Sequence, residues 1–303
     1  MATMRVTLTG GCGFLGSHLA NRFLGSGADV TTLDTMERPA VPVFPAPGRH
    51  RNLVETVTDP DAMKRTLSAT DIVVHLAAIA DPGACRDNPE RAWAVNVDGT
   101  QNVLEATPEG ARFVFLSSAA VYGAPQYLPI DEAHPLLGSD PYAMTKKAAE
   151  ALCTEHAARL HLTIVRNFNT YGPGQGPGFL IPQIVRQAIR EARIEVWSRT
   201  PVRDFTFVDD TVEALARLTL LDGSAPFTMN LGTGRGTSVG EIVDQIARCV
   251  GDIPTTNLER SVMGSPTLVA DNTRARALLD WHSSIDLNDG IRRTLTWYRH
   301  QTV

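Results

Sequence analysis

Near its start the chain reads Thr9-Gly10-Gly11-Cys12-Gly13-Phe14-Leu15-Gly16, and no other feature limits its fold as sharply. The glycines follow a short β-rich run, Arg5–Thr9, and open a segment, residues 14–24, whose apolar residues recur at helical spacing. They fit G-x-G-x-x-G as Gly11, Gly13 and Gly16, and G-x-x-G-x-x-G as Gly10, Gly13 and Gly16. A bare match of this kind is weak; a match between a strand and a helix is much stronger. A pyrophosphate can reach the backbone only where no Cβ intervenes, and a helix start offers free N–H groups and partial positive charge. A second β-rich run, residues 28–33, is followed by Asp34, where a ribose-binding carboxylate is expected. Such a carboxylate accepts from a 2′-hydroxyl and repels a 2′-phosphate. NAD rather than NADP is the expected cofactor, with Arg38 the nearby cation that would temper the preference. The competing reading is a tight turn whose glycines only pack a helix on a sheet.

Strand-like runs at residues 52–57, 71–76, 112–116, 162–166 and 227–231 alternate with helix-like ones at 59–67, 91–106, 142–159, 212–221 and 239–250. This alternation argues for βαβ units in an α/β, Rossmann-type doubly wound parallel sheet, with ligands beyond the carboxyl ends of the strands. Trp93 and Val97 are expected in the core. The texture changes after residue 166: a Gly/Pro-rich loop at 169–178, a helix at 179–193 with three arginines, an irregular and partly strand-like stretch at 196–210, and one clear helix in the tail at 288–299. Two lobes are expected. Residues 1–168 and 205–250 would form the NAD-binding lobe, and residues 169–204 and 251–303 a smaller, discontinuous α/β substrate lobe.

Composition narrows the partners. A formal net charge of −5 supplies no basic field for nucleic acid or an anionic membrane surface. No run approaches the roughly 18 apolar residues of a membrane span, and the first residues lack a signal-peptide pattern. Cys12, Cys85, Cys153 and Cys249 are scattered, which points to neither a disulfide framework nor a metal site. A cytoplasmic protein with reduced thiols is expected.

Further along, Pro141-Tyr142-Ala143-Met144-Thr145-Lys146 sets Tyr142 and Lys146 at i, i+4 on one helix face, shortly after Ser117-Ser118-Ala119-Ala120-Val121-Tyr122-Gly123 at the end of the fifth strand. A phenol is a poor base at neutral pH unless a nearby cation favours its anion. Lys146 can supply that charge and donate to a cofactor ribose, while Ser118 can bind the oxygen whose proton Tyr142 takes. Hydride then leaves the same carbon for the nicotinamide.

The ordered motifs TGGCGFLGSHL, DIVVHLAA, AVNVDGTQNVLEA, FLSSAAVYG, PYAMTKKAAE, NFNTYGPGQG, VRDFTFVDD, NLGTGRGTSVGEI and VADNTRARALLDW resemble the extended short-chain dehydrogenase/reductases, the NAD-dependent epimerase/dehydratase family acting on nucleotide sugars. The resemblance implies NAD contacts from Gly10, Gly13, Phe14, Leu15, Gly16, Asp34, Leu76, Ala77, Ala78, Asn96, Tyr142 and Lys146. It implies sugar-nucleotide contacts from Ser118, Asn169, Leu180 and Arg203, with Asn169 and Arg203 on the phosphates and Leu180 by the uracil. A two-fold dimer through the helices of residues 91–106 and 142–159 is implied as well.

In related dehydratases the two positions after the active-site hydroxyl residue carry acids, and decarboxylases keep a Glu there. Here they are Ala119 and Ala120. A methyl group can neither give nor accept a proton, so the resemblance is closest to UDP-hexose 4-epimerases, which oxidise and re-reduce C4 of a UDP-sugar through a transient 4-keto intermediate. A nucleotide-sugar 4-ketoreductase and a non-catalytic NAD-binding protein are the other readings. Several positions depart from the family pattern: residues 197–202 replace a glycine-rich turn, 259–266 replace an R-P-G-D segment with Arg260 offset, Thr56 stands where an adenine-contacting Asp is common, and Asn167 where Tyr is frequent. Arg203 has a competing use as an ion-pair partner of Asp204, Asp209 or Asp210. Arg186, Arg190 and Arg193 form either a solvated face or a site for a uronate carboxylate.

Overall fold

In chain order the first strands are β1 (Arg5–Thr9), β2 (Asp29–Asp34), β3 (His50–Val54), β4 (Ile72–His75), β5 (Arg112–Ser118) and β6 (His161–Asn167). They are followed by β7 (Asn169–Tyr171), β8 (Ile194–Val196), β9 (Val202–Phe207), β10 (Phe227–Leu231), β11 (Gly236–Ser238), β12 (Thr255–Asn257) and β13 (Thr267–Leu268). The helices are α1 (Phe14–Gly25), α2 (Pro60–Leu67), α3 (Pro82–Asp87), α4 (Pro89–Trp93), α5 (Gly99–Ala106), α6 (Pro141–Glu155), α7 (Leu180–Arg190), α8 (Val208–Leu218), α9 (Val239–Val250), α10 (Thr273–Leu279) and α11 (Leu287–Gln301). This computed structural model describes residues 3–221, 223, 225–261 and 264–301.

The central sheet runs β10-β6-β5-β4-β1-β2-β3 and is parallel throughout. Its middle strands are covered on both faces, which is why β4 is buried at every residue and reads as an unbroken apolar run before His75. On one face Val6, Leu8 and Val74 pack with Leu19, Phe23, Leu215 and Ile242 from α1, α8 and α9. On the other, Val73, Phe113 and Phe115 meet Met63, Val103 and Ala149 from α2, α5 and α6. Val97 lies buried in this region, but Trp93 does not: it is 44% exposed, a correction to its expected place in the core. The reason is local. What reads as one helix over residues 91–106 is α4, a π-helical turn at Ala94–Asp98, and α5. The wide turn rotates α4 away from the face that α5 buries.

A second sheet gathers short strands from distant parts of the chain. At its centre β9 pairs with β7 and β13 in parallel and with β11 antiparallel; β8 and β12 form a separate parallel pair. Two carboxylates tie these segments together. Asp204, without solvent exposure, accepts from the Thr233 amide at 2.8 Å, its hydroxyl at 2.6 Å, the Gly234 amide at 2.9 Å and the Ala270 amide at 3.2 Å. Asp210 receives the hydroxyls of Ser283 and Ser284 and the amides of Ser284 and Ile285, while its carbonyl accepts from the Trp281 indole. The tail therefore holds more order than one helix: it supplies α10 and a fixed segment before α11. Among the described residues no helix is long and apolar enough to cross a membrane.

Candidate active site

β1 ends at Thr9, and the chain turns through Gly10 with φ +68°, a left-handed conformation that glycine adopts without strain. A Cβ on Gly10 would lie 2.7 Å from the Ala77 amide nitrogen, and one on Gly16 would strike the Gly10 carbonyl. Gly13 caps α1 with no side-chain hydrogen bond, and no acidic residue occupies the first turn. The helix start is thus open to an anion and favours one. Phe14 and Leu15 stand half-buried at its rim. The Asp34 carboxylate is fixed beside the turn by the amides of Cys12 at 3.0 Å and Met36 at 3.1 Å. Leu76, Ala77 and Ala78 leave β4 opposite the glycines, half-buried. These features fit a dinucleotide: a bare phosphate cradle at one helix start and a carboxylate for a ribose hydroxyl.

Asn96, expected beside the cofactor, is tied into the protein around it. It is 2% exposed, and its amide is spent within the protein: Oδ1 accepts from the Ile79 amide at 2.7 Å, while Nδ2 donates to the Ile79 carbonyl at 3.1 Å and to Thr145 Oγ1 at 3.0 Å. It shapes the loop after β4 rather than presenting a free donor.

Behind that loop, His75 bridges Thr9 Oγ1 at 2.6 Å and Thr100 Oγ1 at 2.9 Å. Thr100 donates to the Asn96 carbonyl and so accepts from His75 Nε2, which leaves Nδ1 to accept from Thr9. Burial, aided by the Lys146 charge, pushes the imidazole down to about 3. The neutral ring is favoured by folding, so its contribution is complete above about pH 6.5 and is lost as pH falls toward 3, at about 1.4 kcal/mol per pH unit. Chemical denaturation should find the stability gap between wild type and His75→Asn narrowing by about 1.4 kcal/mol between about pH 7.5 and about pH 5.5. A constant gap would contradict the neutral bridge.

Ser118 closes β5, and its hydroxyl accepts from the Ala120 amide at 3.2 Å, starting a 3₁₀ turn over Ala119–Tyr122. Asp140 caps α6 through the Ala143 amide at 3.1 Å, so the helix begins at Pro141 and presents Tyr142 at once. The Tyr142 ring is buried among Cys85, Ala92, Ile79 and Ala120. Burial pushes its phenol up to about 12, opposed by a hydrogen bond with Ser118. One turn on, the buried Lys146 ammonium donates to the Leu116 carbonyl at 2.8 Å and lies 4.9 Å from the Phe115 ring centre. Burial pulls it down to about 8. The structure brings Ser118, Tyr142 and Lys146 together, but in this arrangement burial outweighs any help from Lys146 to the phenolate, because the ammonium turns toward β5.

On the substrate side, Asn169 and Arg203 lie on the neighbouring strands β7 and β9, Asn169 being exposed. None of the three nearby acids is an ion partner of Arg203. Asp204 and Asp210 are enclosed by their own donors, and Asp209 pairs with Arg293 at 3.3 Å. Among the described residues the Arg203 guanidinium reaches the carbonyls of Val202 at 2.8 Å and Pro266 at 3.3 Å, and burial lowers its affinity for its proton. Leu180 begins α7, half-buried. Arg193 pairs with Glu191, and Arg186 and Arg190 border a cleft with Trp297 and Tyr298. Arg260 donates its amide to the Trp197 carbonyl at 2.8 Å, while Val262 and Met263 of the same segment lie outside the described residues.

The fold and the glycine cradle place the chain among Rossmann-type dinucleotide-binding proteins. Residues 6–232 match the model of the NAD dependent epimerase/dehydratase family. A UDP-glucose 4-epimerase of Streptomyces lividans is 34% identical over 305 residues, 91% of each chain. UDP-glucuronic acid decarboxylase 1 of Arabidopsis thaliana is 30% identical over 319 residues, 99% of this chain and 71% of the relative. The solved UDP-glucose-4-epimerase of Stenotrophomonas maltophila, with bound NAD and formylated UDP-arabinopyranose, has a TM-score of 0.91 at 27% identity, covering 99% of both chains. The chain belongs to the NAD-dependent epimerase/dehydratase family, and NAD is its cofactor.

Proposed function

We propose that the protein is a UDP-sugar 4-epimerase, acting on a substrate of the UDP-glucose/galactose or UDP-glucuronate type. The observation that carries this reading is the pair of methyl groups after Ser118. Ala120 packs against the Tyr142 ring and Ala119 against Tyr122 and Phe168, so these positions offer no acid for an elimination or decarboxylation. NAD, when bound, would accept a hydride from C4 and return it. Ser118 would hold the C4 oxygen against the Tyr142 phenol. Tyr142 would take the hydroxyl proton as C4 is oxidised and give it back on re-reduction, and its upward displacement suits it to the second role. Lys146 would donate to the nicotinamide ribose, its charge drawn toward the phenol.

Arg203, half-buried and without an anionic partner among the described residues, supports a diphosphate site with Asn169 on the adjoining strand. Leu180 would border the base. We assign NAD binding to residues 1–168 and 205–250, and the nucleotide sugar to 169–204 and 251–303. We also infer a cytoplasmic enzyme and a homodimer through the helices of residues 91–106 and 142–159, where Trp93 and Met144 are each 44% exposed. Light scattering should find Trp93→Glu monomeric where the wild type is dimeric; a variant that stayed dimeric would move the interface elsewhere.

The function is tested by proton NMR of the purified protein with UDP-glucose, UDP-N-acetylglucosamine or UDP-glucuronate and no added reduced cofactor. A galacto-configured anomeric signal in one tube is the expected result. Silence in all three, with reduced cofactor consumed on adding a 4-keto sugar, would replace the epimerase with a ketoreductase.

A further inference from the structure

The α6 face that carries Tyr142 and Lys146 continues one turn further to Glu150, which is buried. Ser117 Oγ donates to Glu150 Oε1 at 2.5 Å. Arg166 Nη2 donates to Oε2 at 2.8 Å, and its Nε reaches both carboxylate oxygens at 3.1 and 3.3 Å. The two charged side chains are 8% and 7% exposed. Arg166 Nη1 donates to the Tyr122 hydroxyl at 3.2 Å and the Glu132 carbonyl at 3.1 Å. Tyr122 donates to Asn230 Oδ1 at 2.6 Å, and the Asn230 backbone N–H donates to Glu132 Oε1 at 2.8 Å. The network therefore runs from α6 through β6 to β10.

Its attachment points are specific. Ser117 and Arg166 are register partners on β5 and β6. Successive residues of a strand face opposite ways, so β5 offers Ser118 on one side and Ser117 on the other. Helix α6 covers the Ser117 side, where Phe113 and Phe115 pack with Ala149 and Ser117 donates to Glu150; Tyr142, two turns earlier, meets Ser118 where β5 ends and the chain bends into the 3₁₀ turn. Apolar residues of similar volume often stabilise a fold as well as a buried ion pair does. Packing alone thus gives little reason for a charge at this point of α6.

We propose that Glu150 is a positioning residue: clamped by Ser117 and Arg166, it sets the register of α6 against β5 so that Tyr142 meets Ser118, and it fixes a negative charge one turn from the Lys146 ammonium. The groups facing that ammonium are Glu150 and Cys153 from α6, Cys85 from α3, His75 from β4, and the Phe115 ring and Leu116 carbonyl from β5. Both thiols are pushed up by burial and stay neutral near pH 7, which leaves Glu150 as the anion among them, its charge partly offset by its partner Arg166. Its field opposes the burial that strips Lys146 of its proton.

The catalytic use of Lys146 rests on the epimerase reading, but the test needs neither substrate nor cofactor. The chain's lysines are Lys64, Lys146 and Lys147, so protein carrying lysine isotope-labelled at Cε gives an NMR spectrum that Lys64→Arg and Lys147→Arg assign. Glu150→Gln should lower the Lys146 titration midpoint by about one pH unit, a tenfold change in its protonation, while Glu150→Asp stays near wild type. Should Glu150→Gln not fold, the double variant Glu150→Met, Arg166→Met supplies the neutral helix face; because it also removes the opposing guanidinium charge, a smaller fall in the same direction, about half a pH unit, is expected. An unmoved midpoint in either folded variant overturns the proposal. A fall in the midpoint without any epimerase activity would uphold Glu150 and remove only the proposed reaction. Where activity is present, kcat should fall in Glu150→Gln with KM little changed.

Discussion

Tyr142→Phe should lower turnover by about 10²–10⁴-fold while the protein folds and keeps its cofactor, because the change removes one hydroxyl and the general acid–base step it serves. The ring is buried among Ile79, Cys85, Ala92 and Ala120, and phenylalanine fills the same space. What disappears is the hydrogen bond with Ser118 and the phenolic proton carrier placed at the end of β5. The measurement is the rate at which the 4-epimer appears by proton NMR, alongside the cofactor content of the purified variant. Loss of rate with full cofactor content assigns the proton to Tyr142. A variant retaining more than about a tenth of wild-type turnover would mean that another group carries it. Ser118→Ala is the companion variant, since it leaves the phenol in place without its partner.

The largest effect on stability is expected at Asp204. Asp204→Ala leaves three backbone amides and a hydroxyl facing a void where no solvent reaches. Each buried donor without an acceptor costs about 1–3 kcal/mol, and a whole domain is stable by only about 5–15 kcal/mol. The variant should lie at the edge of folding, read as a large fall in melting temperature or loss from the soluble fraction. Asp204→Asn does not escape, because its NH₂ would face amides that also donate. A melting temperature within about 2 °C of wild type would show that these donors find other acceptors. The carboxylate joins the loop after β10 to the strand that carries Arg203, so partial loss of order there should weaken nucleotide binding before the central sheet opens.

How much of this is visible in the sequence depends on the range of the interactions. Helix α9 can be read to the residue, because Val239–Val250 has strong helical periodicity, a capping box from Ser238 and Glu241, and Gly251 at its end. The central strands are equally plain, as near-continuous apolar runs between turns. Residues 196–210 are not plain. Asp209 and Asp210 look like loop residues, yet α8 already begins at Val208, and the donors that satisfy Asp210 arrive from Ser283, Ser284 and Ile285. No local pattern announces a partner so far along the chain. The seven residues of α10 are too few to show a period. In the site, Ser118, Tyr142 and Lys146 are legible from spacing and chemistry. The Glu150 and Arg166 pair is not, though an arginine at the end of the apolar strand His161–Asn167 was the available signal: a charge in a buried strand must have a partner.

The π-helical turn at Ala94–Asp98 has a consequence in terms of chain length. It contains Asn96, whose single amide joins the loop after β4 to α6. An α-helical turn would need one residue fewer over the same path, so a deletion inside the turn moves the residues within it by one position, about 100° around the axis. A one-residue deletion there would restore a straighter helix and still aim the Asn96 amide away from Ile79 and Thr145. The segment is therefore more tolerant of substitution than of any change in residue count. Homologous chains or engineered chimaeras joined within it would have to preserve the count before they preserve the letters.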